Sequence, residues 1–182
     1  MAQTQFICIK LIHTMSIRTA DYWKQRLALT SHPEGGAFSE VYRSGLVIPQ
    51  AQIGGGFKGD RNISTSIYFL LQHGEFSAFH RIASDELWHF YDGVTLSIYE
   101  IREGQLHKHL LGLDFEAGAR PQVLISAGSW FASVVEIENG FTLCGCTVSP
   151  GFDFEDFEMA DRALLTQEFP IHQEIIHYLT HP

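Results

Sequence analysis

Between Ser64 and Val148 the chain is a succession of short runs rich in β-branched and aromatic residues, each closed by Gly, Asp, Asn or Ser. The runs are Ser64–Leu71, Phe76–Ile82, Leu87–Tyr91, Thr95–Ile101, Leu106–Leu111, Gln122–Ser126, Trp130–Glu136 and Phe141–Val148. Their length and composition suit strands and not helices. No helical pattern separates them, so the sheets are expected to be antiparallel. That predicts an all-β sandwich or barrel. Upstream, Ala37–Arg43 alternates apolar and polar residues and adds one more strand.

Helical signals are confined to the ends. Thr19 is an N-cap candidate, with Asp21 in the first turn and Trp23, Leu27 and Ala28 at near-helical spacing, predicting a helix over 20–29. Ser31-His32-Pro33-Glu34-Gly35-Gly36 is turn chemistry. The glycine-rich stretch 45–59 predicts a mobile loop, since no strand-turn-helix or Gly-Lys-Ser/Thr accompanies it. Ile175, Ile176 and Leu179 predict a closing helix over 172–179 against the outside of the barrel. A chain of 182 residues suits one domain. Residues 1–15 are expected to form a flexible N-terminal extension and residues 16–182 a single domain.

Composition narrows the partners. With 12 Lys+Arg against 21 Asp+Glu the net charge is −9, and no basic cluster exists to hold a phosphate backbone, so nucleic acid is excluded as a partner. No apolar stretch approaches the about 20 residues that span a bilayer. The three cysteines, Cys8, Cys144 and Cys146, form no disulfide framework and read as reduced thiols, which predicts a cytoplasmic protein. Exposed antiparallel edge strands predict a homodimer.

The densest polar and aromatic segment runs from Gly74 to Gly93. Its Gly74, His80, Glu86 and Gly93 resemble, at every spacing, the first motif of the cupin superfamily, G-x5-H-x-H-x3-E-x6-G. Ile82 stands where that motif has its second histidine. The second motif is visible around Gly128, with Phe131 in place of its histidine. His32-Pro-Glu-Gly-Gly36, Tyr42-Arg43-Ser44, Ser64-Thr-Ser-Ile-Tyr68, Trp88-His-Phe90 and Gly145 to Phe152 extend the similarity to a small cupin family of unknown function, compared with nucleotide-sugar epimerases and seed storage proteins. The resemblance implies a double-stranded β-helix (a jelly-roll barrel), a dimer, and a pocket inside the barrel.

Strand geometry then selects the pocket residues. Side chains two apart share a face. If His80 faces inward, Ala78 and Ile82 do too, and so do Glu86, Trp88 and Phe90 beyond the Ser84-Asp85 turn. His89 and Tyr91 then point out. The expected pocket is His80, Glu86, Trp88, Phe90 and Phe131, with Glu40 and Arg43 at its mouth.

Three chemistries fit those residues. His80 beside Glu86 can move a proton next to a carbonyl, and the resemblance to epimerases implies His80 as the base. Cys144 falls where those enzymes carry an acidic tyrosine. The aromatic faces can stack on a sugar or nucleotide derivative, with Arg43 on a phosphate. A divalent metal ion would find only His80 and Glu86 as ligands and bind weakly, because Ile82 and Phe131 donate no electron pair. The leading expectation is a metal-free barrel pocket for a polar ligand such as a sugar or nucleotide derivative, with isomerase or epimerase chemistry as an option. A metal-dependent dioxygenase or isomerase, and a storage-like dimer without chemistry, are the alternatives.

Overall fold

The computed structural model describes residues 18–54 and 56–182. The expected extension over residues 1–15, with Cys8, lies outside them. The strands, in chain order, are β1 (Thr30–Ser31), β2 (Ala37–Arg43), β3 (Val47–Ile48), β4 (Arg61–Asn62), β5 (Thr65–Gln72), β6 (Phe76–Arg81) and β7 (Asp85–Gly93). They continue as β8 (Leu96–Arg102), β9 (Gln105–Leu111), β10 (Gln122–Ile125), β11 (Trp130–Val134), β12 (Phe141–Ser149) and β13 (Glu158–Met159). Helices α1 (Ala20–Arg26), α2 (Gln50–Ile53), α3 (Arg162–Glu168) and α4 (Gln173–Tyr178) complete the fold.

A six-stranded sheet in the order β1-β2-β5-β12-β7-β10 faces a five-stranded sheet in the order β13-β6-β11-β8-β9. Phe69, Leu71, Trp88, Leu96, Ile98, Ile125, Phe131 and Cys144 fill the space between them. Both sheets contribute, and period-2 alternation sends the intervening residues outward. This is the jelly-roll barrel expected of the sequence.

Each outer face is covered in part by helix. Helix α1 is capped by Thr19, whose Oγ1 accepts from the Tyr22 N–H at 3.2 Å. It ends at Arg26, short of residue 29, because Ala28 has already turned left-handed at φ 51. Ala20 packs on Leu70 and Leu143 of the six-stranded sheet. On the other side Leu165, Ile176 and Leu179 of the C-terminal helices cover Phe79, Trp130, Ala132 and Val134. No helix among the described residues is long and apolar enough to cross a membrane.

The glycine-rich stretch departs from expectation. Val47–Ile48 pairs with Arg61–Asn62, and Pro49 starts the short helix α2 between them. The buried Arg61 guanidinium ties this excursion to the loop after β12, donating from Nη2 to Asp156 Oδ1 at 2.8 Å.

Two register shifts set up the interior. In β2 the pairing with β5 shifts between Glu40 and Tyr42. Simple alternation would send Arg43 outward from Glu40, whereas the bulge turns both side chains inward, opposite Ile67 and Thr65. In β6 the register against β11 shifts so that Ser77 and His80 oppose Ser133 and Phe131. Ser77, not Ala78 as parity predicts, therefore shares the inner face with His80. Ala78 at the bulge bonds elsewhere: its N–H donates to the Glu34 carbonyl at 2.8 Å.

That contact brings the turn before β2 onto β6, and Gly35 lets it come so close. Gly35 has φ +117, and a Cβ there would lie 2.0 Å from the Phe76 carbonyl oxygen. Gly74 has φ +87 but nothing within 4 Å of its Cβ position. Gly74→Ala is therefore expected to cost about 1 kcal/mol, the strain of its backbone alone. Gly35→Ala is expected to cost on the order of 3–5 kcal/mol, because the turn must also lift off β6. Urea unfolding of the two variants measures the difference; equal costs would contradict the close-approach argument.

Candidate functional site

One cavity of about 190 Å³ opens inside the barrel between β2, β5, β6, β7, β12 and the loop after β12. Its polar lining is His32, Glu34, Glu40, Arg43, Thr65, His80, Glu86, Cys146 and Asp153, and its apolar walls include Phe38, Phe69, Ile82, Val148, Phe152 and Phe154. Four of the seven expected site residues thus line it: His80, Glu86, Glu40 and Arg43.

The three aromatics lie elsewhere. Trp88 and Phe131 are each 1% exposed and belong to the closed core, with Phe90 packed against it. They do face inward, but deeper in the barrel than the cavity reaches. Phe131 props the imidazole of His80 at a ring-centroid distance of 4.1 Å, and Phe157 flanks it at 5.3 Å. The cavity's own aromatics come from β2, β5 and the post-β12 loop. Strand parity within the Gly74–Gly93 segment carries no information about them.

The carboxylate partner of His80 is Glu34 and not Glu86. His80 Nε2 lies 3.2 Å from Glu34 Oε2, and His32 Nδ1 lies 3.3 Å from the same oxygen. Ser77 Oγ donates to Glu34 Oε1 at 2.9 Å. His80 Nδ1 donates to the Ala78 carbonyl at 2.7 Å. Nδ1 of His80 therefore carries a proton, and Nε2 is turned toward the Glu34 carboxyl. His32 and Glu34 were missed as site residues because they sit in a turn. The available signal was a histidine and an acid bracketed by Pro33 and the Gly35-Gly36 pair.

The two buried acids differ in their surroundings. Burial pushes the Glu34 carboxyl up, but His80, His32 and Ser77 outweigh it and hold the group below the ordinary carboxylate value. Burial also raises Glu86, and there the negative charge of Glu34 adds to it, reaching about 8. The neighbouring Cys146 thiol and Trp88 indole oppose that rise only in part, and no cation helps. Trp88 Nε1 itself finds no hydrogen-bond partner. Burial likewise raises the Cys146 thiol, with Cys144 and Glu86 adding to it, so it stays protonated and a poor nucleophile.

At the mouth, Arg43 is already committed. Nε and Nη2 donate to the two Glu40 oxygens at 3.1 and 2.7 Å. Nη1 donates to Asn62 Oδ1 at 3.0 Å and to the Phe152 carbonyl at 3.1 Å. Arg43 thus pins the aromatic loop over the cavity, and it offers no open fork to a phosphate.

The family profile described as Cupin superfamily (DUF985) matches residues 21–160. The chain belongs to this cupin family. A hypothetical protein from Leishmania major is 33% identical, covering 90% of this chain and 99% of its own, with a TM-score of 0.83. A protein from Shewanella oneidensis is 41% identical, covering 91% of this chain and 99% of its own, with a TM-score of 0.82. A cupin 2 domain-containing protein from Halorhodospira halophila is 11% identical over 84% of this chain and 88% of its own, with a TM-score of 0.51, a likeness of fold alone. No curated protein is significantly similar to the chain.

Cupins commonly hold a metal ion with three histidines and a carboxylate, and the residues present do not fit one. Ile82 and Phe131 carry no donor atom, and both nitrogens of His80 are engaged by Ala78 and Glu34. Among the described residues no group of three or more His, Cys, Asp or Glu has a metal-holding arrangement.

The acids give stability an opposing pH dependence. Glu86 holds its proton more tightly folded, at about 8, than at the reference value of 4.5. Its contribution is thus complete below about 4.5 and is lost as pH rises through about 8. Glu34 works in reverse: its contribution is present above the reference value and is lost as pH falls through its lowered one. Unfolding free energy is expected to decline between about pH 5 and pH 9 by on the order of a few kcal/mol. Glu86→Gln, of the same shape but uncharged, should abolish that alkaline decline. Retention of the full decline in the variant would show that Glu86 is not its source.

Proposed function

We propose that the barrel cavity binds a small molecule and catalyses metal-independent proton transfer beside a carbonyl group, as an isomerase or epimerase does. One observation carries the reading: two buried carboxyls share a small, largely apolar cavity, one faced by two imidazoles and the Ser77 hydroxyl, the other only by a thiol and an indole. Environments that push paired acids apart assign their roles. Glu34 is the base, and Glu86 is the acid.

In that scheme a C–H bond next to the carbonyl breaks, and its proton passes to a Glu34 oxygen. The electron pair left behind forms the enol double bond, while the Glu86 proton moves to the carbonyl oxygen. Return of a proton to the other face, or to the neighbouring carbon, gives the epimer or isomer. His80, held by Ala78 and backed by Phe131, orients the Glu34 carboxylate and shares its proton. It acts through Glu34, in contrast to the base role expected for it from sequence. The aromatic walls exclude water, which strengthens each of these interactions.

The test is incubation of the full-length protein with free ketoses, sugar nucleotides and simple enolisable ketones in deuterium oxide, followed by proton NMR. Deuterium is expected to enter at the carbon beside the carbonyl of at least one class. Glu34→Gln and Glu86→Gln should each slow this by about a hundredfold or more. Exchange should weaken as pH rises through about 8, where Glu86 loses its proton. Absence of exchange across all three classes would refute the proton-transfer reading.

A further inference from the structure

We infer that the cavity selects an uncharged, mostly apolar carbonyl compound about one ring in size, and neither a sugar nor a nucleotide. The inference rests on the reading of the cavity as a ligand site and specifies what that site accepts. Size is the first constraint. The cavity holds about 190 Å³, and one of about 150 Å³ lined by aliphatic groups takes up benzene. A single ring with a short substituent fits; a nucleoside diphosphate does not.

Charge is the second. The one guanidinium in the lining, that of Arg43, spends four of its five N–H donors on Glu40, Asn62 and the Phe152 carbonyl. The imidazole of His80 faces Glu34. Glu40 and Asp153 also line the cavity, so an anion meets acids and no free cation.

Hydrogen bonding is the third. A sugar carries a hydroxyl on almost every carbon, and each one buried without a partner weakens binding by about tenfold. Glu34 Oε1 already receives Ser77 Oγ and Oε2 lies against both imidazoles, and Thr65 Oγ1 receives the Phe152 N–H. Of the lining carboxyls, that of Glu86, 8% exposed, is the one with neither a cation nor an imidazole against it. A neutral carboxyl donates one hydrogen bond. A neutral carboxyl in a largely apolar cavity matches one carbonyl oxygen on a largely apolar ligand.

The experiment is thermal shift and calorimetry on the full chain with four probes: acetophenone, ethylbenzene, fructose and uridine diphosphate. Acetophenone is expected to bind at least about tenfold tighter than ethylbenzene, which has nearly its shape but no carbonyl. Fructose and uridine diphosphate should leave the melting temperature unchanged. Glu86→Leu should erase the preference for acetophenone over ethylbenzene, and Glu86→Gln, which keeps an N–H donor, should retain it. Equal binding of the two ring compounds, tighter binding of fructose or the nucleotide, or no binding of either ring compound would overturn the inference. Fructose that binds and exchanges deuterium would sink this inference and spare the proton-transfer reading. Acetophenone that binds through Glu86 without methyl exchange would do the opposite.

Discussion

The interior of this barrel is organised around one buried carboxylate. Glu34 reaches from the turn before β2 to Ser77 and His80 on β6, so it joins segments far apart in sequence and on opposite sheets. Such a charge is costly in a low-dielectric interior unless its partners are fixed in place. The fold fixes them with backbone devices: the bulge at Ala78, which frees an N–H for the Glu34 carbonyl and a carbonyl for His80, and Gly35, which lets the turn lie against β6. Phe131 and Phe157 close the imidazole from either side.

The charge on Glu34 then dictates the state of Glu86. With one negative charge already paired in the cavity and no second cation available, a second would be uncompensated, and Glu86 keeps its proton. Replacement of two metal-ligand positions by Ile82 and Phe131 belongs to the same logic. A cupin site built around an ion neutralises its carboxylate with metal charge. This one neutralises Glu34 with imidazoles and leaves the motif carboxylate, Glu86, as an acid. With Ile82 and Phe131 at two of the motif's ligand positions, the cavity still keeps its polar groups.

How far the sequence reveals this depends on the kind of constraint. Strand existence and inward parity along β7 are local, carried by alternation, and both Glu86 and Trp88 face where period 2 puts them. Depth is not local. Parity distinguishes in from out but not core from cavity, and Trp88 and Phe131 ended in the core while Phe152 and Phe154 line the opening. Bulges are also silent in sequence. A shift of one residue in β2 turns Arg43 inward, and one in β6 swaps Ser77 for Ala78. The partner of His80 was hidden for a third reason: Glu34 lies in a turn, where periodicity says nothing about direction.

Those silent features are the ones that shape the mouth of the cavity. Had Arg43 followed simple alternation, its guanidinium would leave the mouth, and with it the bonds to Glu40, Asn62 and Phe152 that hold the aromatic loop down. Because it turns inward and holds Glu40 with a two-pronged bond, it narrows the cavity with its charge already paired. Arg61 holds the same loop from the other side through Asp156. Both cations therefore serve the shape of the opening, and the charge the site presents to a ligand comes from its acids. On the proposed reading, such an interior discriminates first by size and charge, and then by the hydrogen bond that Glu86 has to give.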